Sequence, residues 1–225
     1  MIERNFMATV TLAQAAVDLG VARLVVTGTC EEYGHRPAPF AEDMAPAPLS
    51  PYSASKAAAT QWLTMMHAIR GLPAVVLRPF LVYGPGQSPP KLVPSALLAA
   101  LAGRDFPMTS GRQGRELTYV DDVVEGLLRA ATAPGVEGQV INLGSGQEHR
   151  VVDIVARIFQ LTDGAGRPLP GALADRVGEM MHFRADTAKA ERLLGWRATT
   201  SLDDGLARTL DWAARHGDTP VPMAP

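Results

Sequence analysis

The run ARLVVTG, residues 22–28, leads straight into TCEEYG, residues 29–34. Its apolar and β-branched residues, closed by Gly28, read as a strand buried on both faces, the kind that parallel sheets contain. Ahead of it, NFMATVTLAQAAVD (5–18) carries apolar residues at helical spacing and stops at Gly20. Behind it, a proline-rich stretch (34–51) reads as a surface loop, followed by a helix from about Pro51 to Gly71 and a second buried strand, PAVVLRP (73–79). Helix, strand, loop, helix, strand is the rhythm of a doubly wound parallel α/β sheet.

After Arg78 the texture changes. VYGPGQSPP (82–90) is rich in turn residues, LVPSALLAALAG (92–103) reads as a helix, and ELTYVDDVVEGLLRAAT (116–132) as a strand entering another helix. GQVINLGSG (138–146) reads as a strand with a glycine turn, and VVDIVARIFQL (151–161) as the helix after it. Residues 162–176 form a long loop, a length that often marks function. Helices around 186–194 and 202–215 close the chain, with HGDTPVPMAP (216–225) as a frayed tail. The expected division is a Rossmann-like sheet half over 1–80 and, over 81–225, remaining sheet elements interleaved with a small α+β lobe.

Composition narrows the function. The chain has 225 residues, 47% hydrophobic and 20% charged, with a net charge of -2. That balance points away from nucleic acid and anionic membrane as partners. The longest apolar runs are too short to span a bilayer, and MIERNFMATV lacks the pattern of a secretory signal. A single cysteine, Cys30, excludes an internal disulfide and suits a reducing, cytoplasmic setting. The five histidines are scattered, so no metal site is expected.

Within LSPYSASKAAATQW (49–62), Tyr52 and Lys56 lie four residues apart, which puts them on one helical face. An ammonium beside a phenol favours the phenolate, and a tyrosine tuned downward in this way can exchange a proton with a substrate oxygen. Helices also contain this spacing by chance, so alone it leaves open an ordinary first turn. Thr29 adds a hydroxyl at the carboxyl edge of the first strand, where ligands bind in such sheets. It too has a plain alternative, satisfying a nearby backbone group.

Taken together, RLVVTGTCEEYG, SPYSASKAAAT, LRPFLVYGPGQ, GRELTYVDDVVEGL, VINLGSG and FRADTAKAERLLGW resemble, in order, the extended short-chain dehydrogenase/reductase family of nucleotide-sugar epimerases and dehydratases. The resemblance implies Tyr52 as acid/base, Lys56 on the nicotinamide ribose, Thr29 on the reacting sugar oxygen and Phe80 beside the nicotinamide. It further implies Arg115 and Arg176 on the substrate diphosphate, with Lys91 and Leu92 touching the nucleotide. Guanidinium forks suit phosphate oxygens. NAD or NADP is the implied cofactor, a nucleotide-diphosphate sugar the substrate, and a homodimer through the helices around 5–18 and 52–70 the implied assembly.

The sequence also departs from the family pattern. No Gly-x-x-Gly-x-x-Gly turn precedes the first strand, and NLGSGQEHR (142–150) reads as a turn rather than as a pyrophosphate cradle. The sheet is therefore expected to be an amino-terminally truncated Rossmann-like one. Cys30 stands where family dehydratases carry an aspartate, Leu81 where an asparagine is usual, and Val177 and Glu179 where proline and aspartate flank the arginine corresponding to Arg176. Cys30 favours a 4-ketoreductase or 4-epimerase over a dehydratase, and the departures bear on the substrate more than on the cofactor chemistry. The alternatives are a non-catalytic nucleotide-sugar-binding or partner-binding remnant without a cofactor cradle, and an incomplete chain with an exposed sheet edge.

Overall fold

In the computed structural model, residues 1–162 and 164–216 are described; most of the expected frayed tail lies outside them. A π-helical turn (Ile2–Met7) runs into α1 (Ala8–Asp18), which leads to β1 (Leu24–Thr27) and a 3-10 turn, Cys30–Tyr33. The helix α2 (Pro51–Arg70) then precedes β2 (Ala74–Pro79), whose side chains are buried along almost its whole length. Next come β3 (Leu81–Tyr83), α3 (Leu92–Leu101), β4 (Phe106–Met108), β5 (Gly114–Tyr119) and α4 (Val120–Thr132). The chain ends through β6 (Val140–Leu143), β7 (Glu148–Arg150), α5 (Val151–Gln160), β8 (Pro168–Pro170), α6 (Ala188–Leu194) and α7 (Leu202–His216).

The main sheet has the order β1-β2-β6, all parallel, with Thr27 opposite Leu77 and Leu77 opposite Ile141. Side chains alternate across β2. Ala74 and Val76 face a core made with α1 and α2 (Ala13, Leu63, Met66), while Val75 and Leu77 face one made with α4 and α6 (Val123, Leu194, Trp196). Helices thus cover both faces, which makes the fold doubly wound. A third core, around Tyr83, Leu97, Tyr119 and Ile154, holds α3, α5 and α7 together beside a second sheet, β3-β5-β7.

Two loop readings are corrected. The proline-rich segment after Tyr33 is not only a surface loop: Phe40 is wholly buried and forms a parallel bridge to Ala185. Apolar burial among the aromatics outweighs the segment's turn-rich composition. The long loop at 162–176 contains β8, which pairs in parallel with β4. Both strands span three residues, too short for an alternation pattern to show in sequence. Among the described residues, no helix is long and apolar enough to cross a membrane.

The carboxylate of Asp122 fastens the last helical layer. It accepts from the Thr199 amide, the Thr199 hydroxyl and the Thr200 amide, each at 3.1 Å, while Trp196 Nε1 donates to the Asp122 carbonyl at 2.9 Å. Replacing Asp122 by Ala should destabilise the chain by about 2–4 kcal/mol, because three part-buried hydrogen bonds to a buried carboxylate are lost together. Urea unfolding checks this. A loss within the scatter of an ordinary surface change, about 0.5 kcal/mol, would remove Asp122 from that role.

Candidate active site

The helix that carries Tyr52 and Lys56 starts where its sequence dictates. Ser50 caps it by accepting from the Ser53 amide at 3.0 Å, Pro51 occupies the first turn, and Gly71 ends it in the left-handed region at φ 67°. Tyr52 therefore sits in the first turn, where free amides and the helix dipole favour negative charge. Thr29 begins the 3-10 turn as its cap and is 7% exposed.

A cavity of about 760 Å³ opens at the carboxyl ends of β1 and β2. Thr29, Tyr52, Phe80, Lys91, Leu92, Arg115 and Arg176 all line it, together with Cys30, Glu31 and Leu81. Lys56 stands outside that lining: its Nζ donates to the Thr27 carbonyl at the strand end, at 2.6 Å. A second cavity of about 340 Å³, lined by Ser110, Arg112, Asp175, Arg176 and Glu179 among others, shares Arg176 and Glu179 with the first.

The expected lowering of the Tyr52 phenol by Lys56 is not found. Burial pushes the phenol above its ordinary value, the Thr29 hydroxyl offsets part of this, and Glu31, Cys30 and Glu32 add to it. Burial pushes Lys56 down, against the pull of Glu32. The ammonium is spent on the Thr27 carbonyl, and carboxylates rather than cations surround the phenol.

Arg115 is held by its own lobe. One guanidinium nitrogen pairs with Glu179, and the other donates to the carbonyls of Gly114 at 2.6 Å and Met180 at 2.8 Å. Burial lowers its pKa and Glu179 counters that. Phe80 is 1% exposed and packs with Tyr33, Phe40 and Phe183, at centroid distances of 6.5, 6.1 and 5.6 Å.

Behind the cavity lies a buried network that the motif reading passed over. Glu32 Oε1 accepts from the Thr29 amide at 2.9 Å and the Thr60 hydroxyl at 3.1 Å, while Oε2 accepts from Arg78 at 3.1 and 2.7 Å. The Tyr33 hydroxyl donates to Asn142 Oδ1 at 2.7 Å, and Asn142 Nδ2 to the Phe40 carbonyl at 2.8 Å. The signal for Glu32 was present: Thr29-x-x-Glu32 has the spacing of a capping box, and both of its bonds form.

Cys30 is 3% exposed, and burial, aided by Glu31, pushes its thiol up to about 12. It lines the cavity as a small neutral group. Since the thiolate is the nucleophile, alkylation of the native chain near pH 8 should run at least ~100-fold slower than in urea and accelerate as pH climbs toward that raised value. A native rate within about threefold of the unfolded one would show an accessible thiol.

Comparison with known proteins places the chain. The profile of the NAD dependent epimerase/dehydratase family matches residues 1–144. A dTDP-glucose 4,6-dehydratase from Xanthomonas campestris pv. campestris is 32% identical over 94% of this chain and 66% of its own length. A UDP-glucuronate 4-epimerase from Thermodesulfobacterium geofontis is 30% identical over 96% of this chain and 66% of its own. Among solved structures, the UDP-glucuronic acid 4-epimerase from Bacillus cereus in complex with UDP-glucuronic acid and NAD superposes with a TM-score of 0.86. It is 29% identical, covering 94% of this chain and 67% of that one. The chain thus spans about two thirds of the length of these relatives. With a doubly wound parallel sheet, a cavity at its carboxyl edge and a family profile running through both, this chain belongs to the NAD-dependent epimerase/dehydratase family.

Proposed function

We propose that this chain carries the proton-handling and substrate-binding part of an NAD(P)-dependent 4-ketoreductase or 4-epimerase acting on a nucleotide-diphosphate sugar. One observation supports it above the others: Thr29, Tyr52, Phe80, Lys91, Leu92, Arg115 and Arg176 come from separate segments of the sequence, yet line one cavity.

The donors present suit the nicotinamide-ribose half of the cofactor. The Tyr52 hydroxyl and the Lys56 ammonium stand at one strand end for a ribose diol, and the Phe80 ring offers an apolar wall to a flat heterocycle. No glycine-rich turn for a pyrophosphate stands among the described residues ahead of β1. When bound, the cofactor supplies hydride exchange at the reacting carbon.

The residues of the chain do the rest. The Tyr52 hydroxyl delivers a proton to the substrate oxygen or accepts one from it. Thr29 holds that oxygen beside Tyr52, and Lys56, anchored on the Thr27 carbonyl, offers its ammonium to the nicotinamide ribose. Arg176 takes the diphosphate, joined by Arg115 once Glu179 yields its place. Cys30, with its proton firmly held, is unsuited to protonate a leaving hydroxyl, which favours keto–hydroxyl exchange over dehydration.

Titrating the 225-residue chain with uridine and thymidine diphosphates, and with NADH followed by fluorescence through its three tryptophans, tests this reading. Saturable binding of both ligand types is expected. Arg176→Ala should weaken diphosphate binding by roughly 10–100-fold, the worth of a charged hydrogen bond or two. Diphosphate binding without NADH would favour a nucleotide-sugar-binding module. No binding by a folded chain would overturn both.

A further inference from the structure

Glu32 and Arg78 form an ion pair sealed from solvent, with side chains 0% and 4% exposed. Their bonds reach all three pieces that carry the proposed chemistry. Glu32 Oε1 takes the amide of Thr29 and the hydroxyl of Thr60, which lies one helical turn beyond Lys56 on α2. Arg78 belongs to β2, two residues before Phe80. The backbone is shaped for this carboxylate: a Cβ at Gly28 would come within 2.6 Å of Glu32 Oε1.

We propose that Glu32, backed by Arg78, is the positioning residue of the site: it fixes Thr29 against Tyr52 and supplies the counter-charge to Lys56. The assignment rests on the reading of Tyr52, Lys56 and Thr29 given above. It explains why so costly a pair is buried at this place, since a hydrophobic pair of equal volume would fill the space but hold neither the Thr29 amide nor the Thr60 hydroxyl. The groups that act on Tyr52 are Thr29, Glu31, Cys30 and Glu32 at the 3-10 turn; Lys56 on its own helix is bonded to the Thr27 carbonyl, and Arg115 and Arg176 line the same cavity. On Lys56, Glu32 is the carboxylate that opposes the effect of burial.

The sign follows from the geometry. Glu32→Gln removes a negative charge that faces both groups and leaves the Arg78 cation uncompensated, so phenolate and neutral amine both become easier to form.

The test is carbon-13 titration of labelled tyrosine and lysine in the 225-residue chain, with Y52F and K56M assigning the two resonances. It needs neither turnover nor ligand, so its outcome is independent of whether the chain binds nucleotide. In E32Q, Tyr52 and Lys56 should each titrate about one pH unit lower than in the wild type, and E32Q–R78M should recover most of that difference. Unchanged titrations in E32Q overturn the proposal. An uncompensated buried guanidinium can unfold E32Q, so two charge-free variants carry the decision in that case. E32Q–R78M keeps an acceptor for the Thr29 amide, whereas E32L–R78M does not, and Tyr52 should titrate about half a pH unit higher in the latter as Thr29 drifts from the phenol. Equal Tyr52 titrations in these two variants would assign Glu32 a packing role alone.

Discussion

A carboxylate and a guanidinium sealed together beneath the cavity set the terms for everything above them. Removing two ions from water costs several kcal/mol each, and only good geometry with further hydrogen bonds offsets it. Glu32 meets that condition by using both oxygens, on Arg78, Thr29 and Thr60. Each partner sits on a different element, so the need to satisfy one buried charge ties the end of β1, the helix α2 and the end of β2 into one body. The Arg78 guanidinium also lies over the Tyr33 ring, 4.7 Å from its centroid, which gives the cation a second neutralising surface.

That ring passes the constraint outward. Tyr33 stacks on Phe40 at 5.2 Å with planes 3° apart, and its hydroxyl reaches Asn142 on β6. Phe40 meets Phe183 edge-on, and the Phe40–Ala185 bridge continues the contact toward α6. Glu116, buried on β5, accepts from the Gly146 amide at 2.8 Å and from the Ala185 amide, joining the second sheet to the same segment. The aromatic cluster therefore reaches the cavity through Phe80 and is also the joint between the parallel sheet and the lobe that carries Arg115 and Arg176.

Those parts were unequally legible in the sequence. The strands at 24–27 and 74–79 and the helix at 51–70 announce themselves through apolar runs, a serine cap and a terminal glycine, because each signal is local. Tyr52 and Thr29 could be read for the same reason, being tied to the start of a helix and the end of a strand. The strands β4, β7 and β8 could not, since three residues carry no period and their pairing is set by the chain on the other side. The burial of Phe40 inside a proline-rich stretch and the partnership of Glu32 with Arg78, 46 residues apart, are tertiary facts. The direction of the Tyr52 phenol was misjudged for a related reason. The pattern shows that Lys56 shares its face, but not that the ammonium is already committed to Thr27.

Charge at the far end of the cavity is balanced by the same logic, with a different consequence. Arg115 is largely withdrawn from solvent and must have an anion; Glu179 supplies it from the chain itself, while the Gly114 and Met180 carbonyls take the remaining fork. In the proposed function, an arriving diphosphate would meet a cation that is preorganised but already neutralised, so the gain at Arg115 would be the difference between two anions rather than the full strength of one. Arg176, on the exposed segment that lines both cavities, carries no such obligation to the core and, in the proposed function, would give the first foothold to a phosphate. Glu179 already lines the smaller cavity, as does Arg112, so a carboxylate displaced by phosphate would have a cation in the same cavity. On the proposed function, affinity at this end would be set less by how many arginines line the cavity than by how readily one glutamate gives way.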